Sequence, residues 1–321
     1  MKVFDNALEM VGNTPMVRVN NLDTGPCELY LKLELQNPGG SVKDRIAVEM
    51  IDAAEREGKL KQGDTIIEAT AGNTGLGLAL VAATKGYPLK IVMPDKMSQE
   101  KVNNLRAMGA EVVQTRSDVQ KGHPEYYQDM AARMAKENGW FYVNQFANPA
   151  NIAAHYKTTG PEIWQQMEGD VDAFVCGVGS GGTLTGVGRY LREQKADIDM
   201  VLADPTGSIL EPLVNRGEEV EAGSWLAEGI GEDFVPDTCD ISIANKAYAI
   251  SDKDGMQMAR QVLEKEGIMV GSSSGTLIAA ALRYCQDQTE KKRVVTLACD
   301  TGNRYLSKLF NDDWMRENNL L

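Results

Sequence analysis

Histidine is almost missing from this chain. His123 and His155 are the two in 321 residues, too few for a histidine-built metal site. The five cysteines (Cys27, Cys176, Cys239, Cys285 and Cys299) are odd in number, scattered and never closely paired. That argues against zinc and against a disulfide framework, and it fits reduced thiols in a cytoplasmic protein. Basic residues are outnumbered 33 to 46, for a net charge of -13. Without a basic cluster, nucleic acid and anionic membrane surfaces are poor partners. No apolar run approaches the roughly 20 residues of a membrane span. The N-terminus, Met1-Lys2-Val3-Phe4-Asp5, lacks the apolar core of a signal peptide. Internal repeats, low-complexity tracts and linkers are absent as well.

What is present reads as a soluble globular protein, with 43% hydrophobic and 25% charged residues and length for two domains. Short apolar runs at 65–69, 89–93, 111–114, 141–144, 173–176, 200–203 and 293–298 predict strands. Helical spacing predicts helices at 75–85, 99–108, 124–136, 152–167, 183–194, 255–266 and 274–287, with an N-terminal hairpin at 16–19 and 28–33. Such alternation implies an α/β fold, parallel sheets covered on both faces, with ligands at the carboxyl ends of strands. Asn148-Pro149 breaks the pattern and marks the best boundary. The stretch 215–249 is irregular and acidic, and reads as a loop region over the site.

The most informative segment is Asn37-Pro38-Gly39-Gly40-Ser41-Val42-Lys43-Asp44-Arg45. Val42, Ile46, Ala47 and Met50 recur at helical spacing, so Lys43 stands in the first turn of a helix. A cation there opposes the macrodipole. The placement suits an amine that is neutral or imine-linked and suggests Schiff-base chemistry. A solvated lysine after a turn is the alternative.

Three glycine-rich turns accompany it. Glu68-Ala69-Thr70-Ala71-Gly72-Asn73-Thr74-Gly75 joins a strand to a helix and offers N–H groups and hydroxyls to an anion such as a substrate carboxylate; Thr70 or Asn73 as a helix cap is the plainer reading. Cys176-Gly177-Val178-Gly179-Ser180-Gly181-Gly182-Thr183 reads as a phosphate cradle feeding a helix N-terminus. Its Gly177, Gly179 and Gly182 also match G-x-G-x-x-G, with Asp204 roughly 20 residues on, so an NAD(P)-dependent oxidoreductase is a rival. Val270-Gly271-Ser272-Ser273-Ser274-Gly275 opens another helix, where serines could cap or bind. Pyridoxal phosphate suits this set: it needs an amine for its aldehyde, a cradle for its phosphate, and polar partners for its ring.

Val11-Gly12-Asn13-Thr14-Pro15, the Pro-Gly-Gly-Ser-Val-Lys-Asp-Arg segment, Ala-Gly-Asn-Thr-Gly, Gly-Ser-Gly-Gly-Thr and Ser-Ser-Gly occur in the order seen in one group. The chain resembles the pyridoxal-phosphate β-family of cysteine synthase and the catalytic core of cystathionine β-synthase. The resemblance runs over essentially the whole length. It implies two three-layer αβα domains with parallel sheets, tryptophan synthase β-like: a large one from 1–35 plus 146–321, and a small mobile one from 36–145. It implies a homodimer acting on amino-acid and thiol substrates. Lys43 would be the catalytic residue, joined to the cofactor and freed as base for the α-proton. Asn73 would bond the ring oxygen, Gly179, Ser180, Gly181, Gly182 and Thr183 the phosphate, and Ser273 the ring nitrogen. Thr70, Ala71, Asn73, Thr74 and Gln145 would hold the substrate carboxylate. The reaction would be β-replacement on serine or O-acetylserine through an aminoacrylate, with no metal. A serine at the ring nitrogen would leave the ring a weaker electron sink than a carboxylate partner would, which favours β-elimination over transamination.

For the incoming thiol, Glu228-Gly229-Ile230-Gly231-Glu232-Asp233-Phe234 and the tail Leu309-Phe310-Asn311-Asp312-Asp313-Trp314-Met315 resemble the cystathionine side, with homocysteine as acceptor. Cys299-Asp300-Thr301-Gly302-Asn303-Arg304-Tyr305-Leu306-Ser307 resembles one branch of cysteine synthases, which use sulfide. Ala71 stands where a serine is common, and Glu232 where cystathionine synthases have tyrosine. A carboxylate at 232 could attract the amine of homocysteine or be solvated loop; Glu228 and Glu232 are the candidate acceptor residues. No haem-binding extension precedes the pattern and no tandem regulatory module follows it, so neither haem nor an adenosylmethionine response is expected.

Overall fold

The computed structural model describes residues 3–70, 72–95, 97 and 99–321. The chain divides into two compact units, Met1–Val11 with Asn37–Ala154, and Gly12–Gln36 with His155–Leu321. Among the described residues no helix is long and apolar enough to cross a membrane.

The first unit is built on a four-stranded parallel sheet in the order Glu111–Thr115, Leu89–Pro94, Ile66–Ala69, Phe141–Tyr142. Its central strand Ile66–Ala69 is buried throughout, as expected of a strand covered on both faces. The period of two then sorts its residues. Ile66 joins Ile91 and Met93 against Ile46, Met50 and Leu78 of the helices Lys43–Arg56 and Asn73–Lys85. Ile67, Ala69 and Val92 face Ala131 and Ala135 of the helix Tyr127–Asn138. The result is a three-layer αβα unit, with strand ends leading directly into the helices that carry Asn73 and its neighbours.

The second unit holds a six-stranded sheet in the order Met16–Arg18, Glu28–Lys32, Arg293–Leu297, Ala173–Cys176, Asp199–Pro205, Lys246–Ile250. The first pair is antiparallel and every other pair parallel. The Val-Gly-Asn-Thr-Pro motif fastens the hairpin to the helix Gly160–Gln166. Asn13 N–H donates to Glu162 at 2.9 Å. The Thr14 carbonyl accepts from Lys32 Nζ at 2.8 Å and from Gln166 Nε2 at 2.9 Å. Lys32 is fully buried and also donates to Glu162 at 2.7 Å and to Gln166 Oε1 at 2.9 Å, so its charge is met by a carboxylate and two neutral acceptors. All five cysteines are free thiols, four of them buried.

Two expectations change. The segment 215–249 is not irregular throughout: it closes the helix Leu210–Arg216 and runs into the edge strand Lys246–Ile250, whose opening Lys, Ala, Tyr and Ala are too weakly apolar to stand out. The helix placed at 152–167 is three pieces, Pro149–Ala154, a π-type turn His155–Thr159, and Gly160–Gln166. Pro161 has no N–H for the Lys157 carbonyl, so a continuous α-helix cannot form there.

Candidate active site

In the first unit, the Pro-Gly-Gly turn is bound to the helix it precedes. Gly39 N–H donates to the buried Asp44 carboxylate at 2.5 Å, and a Cβ at Gly39 would lie 2.7 Å from Asp44 Oδ2. Lys43 is the first residue of the helix. Val42 ahead of it supplies no side-chain cap, while Ser41 Oγ accepts Lys43 N–H at 3.2 Å. The amine therefore springs from the positive end of the helix, as the sequence implies. Asn73 begins the next helix, which also has no side-chain cap. The two helices touch at Gly77, where a Cβ would lie 3.0 Å from the Lys43 carbonyl oxygen. That close approach puts Lys43 and Asn73 on neighbouring helix starts.

Thr70, Thr74 and Gln145 are gathered in the same unit. Thr70 Oγ1 accepts Gly72 N–H at 3.2 Å, shaping the turn rather than capping the helix. Thr74 donates to Gln145 Oε1 at 2.7 Å. Ala71 lies outside the described residues. Beneath Gln145 sits a group the sequence reading gave no role. Glu68, fully buried in the central strand, accepts Asn144 N–H at 2.7 Å and faces Gln145 Nε2 at 3.4 Å. Asn144 holds φ at 51° to present that N–H. An acid inside Ile-Ile-Glu-Ala was the available signal.

Burial pushes the Glu68 carboxyl up to about 8, against N–H donation from Gln145 and Asn144 that lowers it. Folded, the group keeps its proton to about pH 8; unfolded, it loses it near 4.5. Stability from this group is therefore fully present below the unfolded value and drains as pH rises towards the folded one. In urea titrations, Glu68→Gln is expected to gain on the native protein by about 1.4 kcal/mol per pH unit between about pH 5 and 8. A pH-independent difference between the two proteins would contradict this placement of the proton.

In the second unit the strand Ala173–Cys176 runs into the glycine turn, and the helix Gly182–Gln194 begins after Gly181 at φ 84°, with no side-chain cap. A Cβ at Gly179 would overlap the Gly229 carbonyl oxygen; one at Gly181 would sit 2.6 Å from Cys239 Cα. Segment 227–240 backs the turn: Gly231 N–H donates to the Val178 carbonyl at 2.8 Å, and the Thr238 hydroxyl donates to the Ser180 carbonyl. Two carbonyls of the turn are thereby engaged from behind, and a glycine turn that opens a helix N-terminus suits an anion.

The helix Ser272–Gln286 carries the serines, and Gly177 lies against its Leu277. Ser272 Oγ accepts Glu228 N–H at 3.0 Å and Ser274 Oγ accepts Cys299 N–H at 2.8 Å. Ser273, 5% exposed, has no hydrogen-bond partner among the described residues. A cradle closed to any Cβ and a buried hydroxyl awaiting a partner fit the phosphate and ring nitrogen of pyridoxal phosphate.

Of the acceptor candidates, Glu228 pairs with Lys308 at 2.6 Å. The Glu232 carboxylate lies 4.0 Å from where a Gly179 Cβ would stand. Asp204, the acid of the dinucleotide reading, is fully buried and accepts Glu211 N–H at 2.8 Å; burial pushes it up to about 6. It caps a helix start and presents no carboxylate to a ribose.

Residues 7–300 match the family model described as pyridoxal-phosphate dependent enzyme. The chain is 42% identical over 324 residues to cystathionine beta-synthase of Apis mellifera, covering 100% of this chain but 64% of that protein. It is 45% identical over 309 residues to cysteine synthase of Staphylococcus aureus strain Mu50, covering 95% and 96% of the two. The crystal structure of O-ureido-L-serine synthase superposes with a TM-score of 0.90 at 35% identity, over 98% of this chain and 100% of that one. Likeness of this extent, on a fold and turn geometry that suit the cofactor, makes this chain a member of the pyridoxal-phosphate dependent enzyme family.

Proposed function

We propose that the chain catalyses β-replacement on serine or O-acetylserine, with homocysteine as incoming thiol and cystathionine as product. The observation that carries the reaction class is Lys43, an amine at a helix start beside the Asn73 turn. The cofactor, when bound, supplies the electron sink for the pair left at Cα. Lys43 would hold it through its amine and, as a free amine, would take the α-proton. Thr70, Thr74 and Gln145 bind the substrate carboxylate through hydroxyls, amide and helix-start N–H groups, while Asn73 donates to the ring oxygen. Gly179 to Thr183 hold the phosphate. Ser273 meets the ring nitrogen with a neutral hydroxyl.

Homocysteine, unlike sulfide, brings an ammonium group. Glu232, whose carboxylate stands beside the phosphate turn, is the group we assign to attract it. A second reading, cysteine synthase, is favoured by the near end-to-end match with the staphylococcal relative. Steady-state rates for serine and O-acetylserine, each with homocysteine and sulfide, separate the two. Homocysteine is expected to give the higher kcat/KM, and Glu232→Gln to raise its KM with little change in the sulfide rate. A preference for sulfide would establish the second reading. The same proposal takes the enzyme to be a cytoplasmic homodimer.

A further inference from the structure

His155 is one of two histidines in the chain, and the reaction just described gives it no role. It is 1% exposed and lies in the second unit, in the π-type turn His155–Thr159. Its Nδ1 is 2.9 Å from Thr159 Oγ1, and its Nε2 is 3.2 Å from Thr183 Oγ1. Thr183 is the second residue of the helix that leaves the glycine turn. A π-type turn widens the spiral by one residue and occurs frequently at functional sites. Here it brings both ring nitrogens to hydroxyls, one on its own segment and one on the cradle.

A neutral imidazole carries one N–H, so its two contacts can be satisfied in two ways. In the first, Nδ1–H donates to Thr159 and the Thr183 hydroxyl donates to Nε2. Thr183 then has spent its only proton and turns lone pairs towards the anion. In the second, Thr159 donates to Nδ1 and Nε2–H donates to Thr183. Thr183 then has its proton left to give. A phosphate accepts hydrogen bonds and repels lone pairs, so it is compatible with the second arrangement and opposed by the first.

We propose that His155 is a positioning residue for the cofactor phosphate: held as the Nε2–H tautomer, it turns the Thr183 hydroxyl into a donor aimed at the phosphate. This rests on the reading of Gly179 to Thr183 as the phosphate turn. The amide of glutamine can place an N–H near the position of Nε2, whereas phenylalanine fills the space without one.

The tautomer can be read directly in the holoprotein. With His123→Gln, nitrogen NMR of histidine-labelled protein shows one imidazole. A proton on Nε2 alone is expected; a proton on Nδ1, or on both nitrogens, would overturn the proposal. Cofactor binding gives a second reading. His155→Phe is expected to raise the dissociation constant for pyridoxal phosphate about tenfold, the worth of one hydrogen bond. His155→Gln is expected to recover most of that loss. Unchanged binding in a folded His155→Phe protein would sink the idea, as would equal losses in both variants. Thr183→Val separates the two levels of inference. If it weakens cofactor binding and His155→Phe does not, the role of His155 fails alone. If neither changes binding, the phosphate turn itself has been misassigned.

Discussion

Replacing Lys43 with alanine is expected to abolish turnover, lowering kcat by about a thousandfold or more, the range for loss of a positioned general base. Two functions leave together. The amine that anchors the cofactor is gone, so the visible absorbance of the lysine-bound form should be replaced by that of the free aldehyde. The base for the α-proton is gone as well. Lys43→Arg sharpens the test. Arginine keeps a cation at the helix start but stays protonated throughout the accessible range. If charge were what mattered there, Lys43→Arg would retain activity; the Schiff-base role requires it to be as inactive as Lys43→Ala. The fold should survive either change. Lys43 is half-buried, and the turn before it is tied to the helix by the Gly39 N–H donating to Asp44. Activity within tenfold of native in either variant would remove Lys43 from the mechanism.

The parts of this molecule that could be read in advance are those where one local pattern determines the outcome. The strands Ile66–Ala69 and Ala173–Cys176 are buried on both faces, so they stand out as apolar runs however they pair. Lys43 was legible because Pro38, Gly39 and Gly40 stop one element immediately before another begins. The strand Lys246–Ile250 was not, because an edge strand in contact on one side needs little apolar content. Nor was the break at His155, since apolar spacing continues across it and only Pro161 hints at a missing N–H. Glu68 and His155 were hidden for a common reason. Each is bonded to residues far along the chain, Asn144 and Gln145 for one and Thr183 for the other, and spacing in sequence carries no record of that. The three serines at 272–274 show the same limit in miniature. Helix-start chemistry is shared by all three, and Ser273 is set apart only when the other two are found accepting N–H groups from Glu228 and Cys299.

Gly179→Ala is expected to cost the protein its cofactor while leaving the fold largely intact. An added methyl would overlap the carbonyl oxygen of Gly229, and that oxygen cannot retreat easily. Gly229 stands at φ 83°, and Gly231 two residues on is tied to the Val178 carbonyl at 2.8 Å. The turn must therefore move away from segment 227–240, carrying its N–H groups with it. Overpacking of this kind costs about 1–3 kcal/mol of stability. The larger effect falls on the ligand. Losing two charge-assisted hydrogen bonds, each worth about 1.5–3 kcal/mol, would raise the dissociation constant about a hundredfold or more. Gly177→Ala provides the comparison. Its methyl would meet Ile230 Cγ2 at 2.7 Å, Leu277 Cδ1 at 3.0 Å and the Ala203 carbonyl oxygen at 3.3 Å, so it presses mainly on core side chains and not on the wall behind position 179, and a smaller loss of affinity is expected for a similar loss of stability. Equilibrium dialysis of pyridoxal phosphate alongside thermal melts separates the two quantities. If both alanine variants lose affinity only in proportion to stability, the turn is a packing element and the phosphate lies elsewhere. If Gly179→Ala loses far more affinity than Gly177→Ala at comparable melting temperatures, the N–H groups around position 179 hold the anion, and segment 227–240 is the wall that keeps them pointed at it.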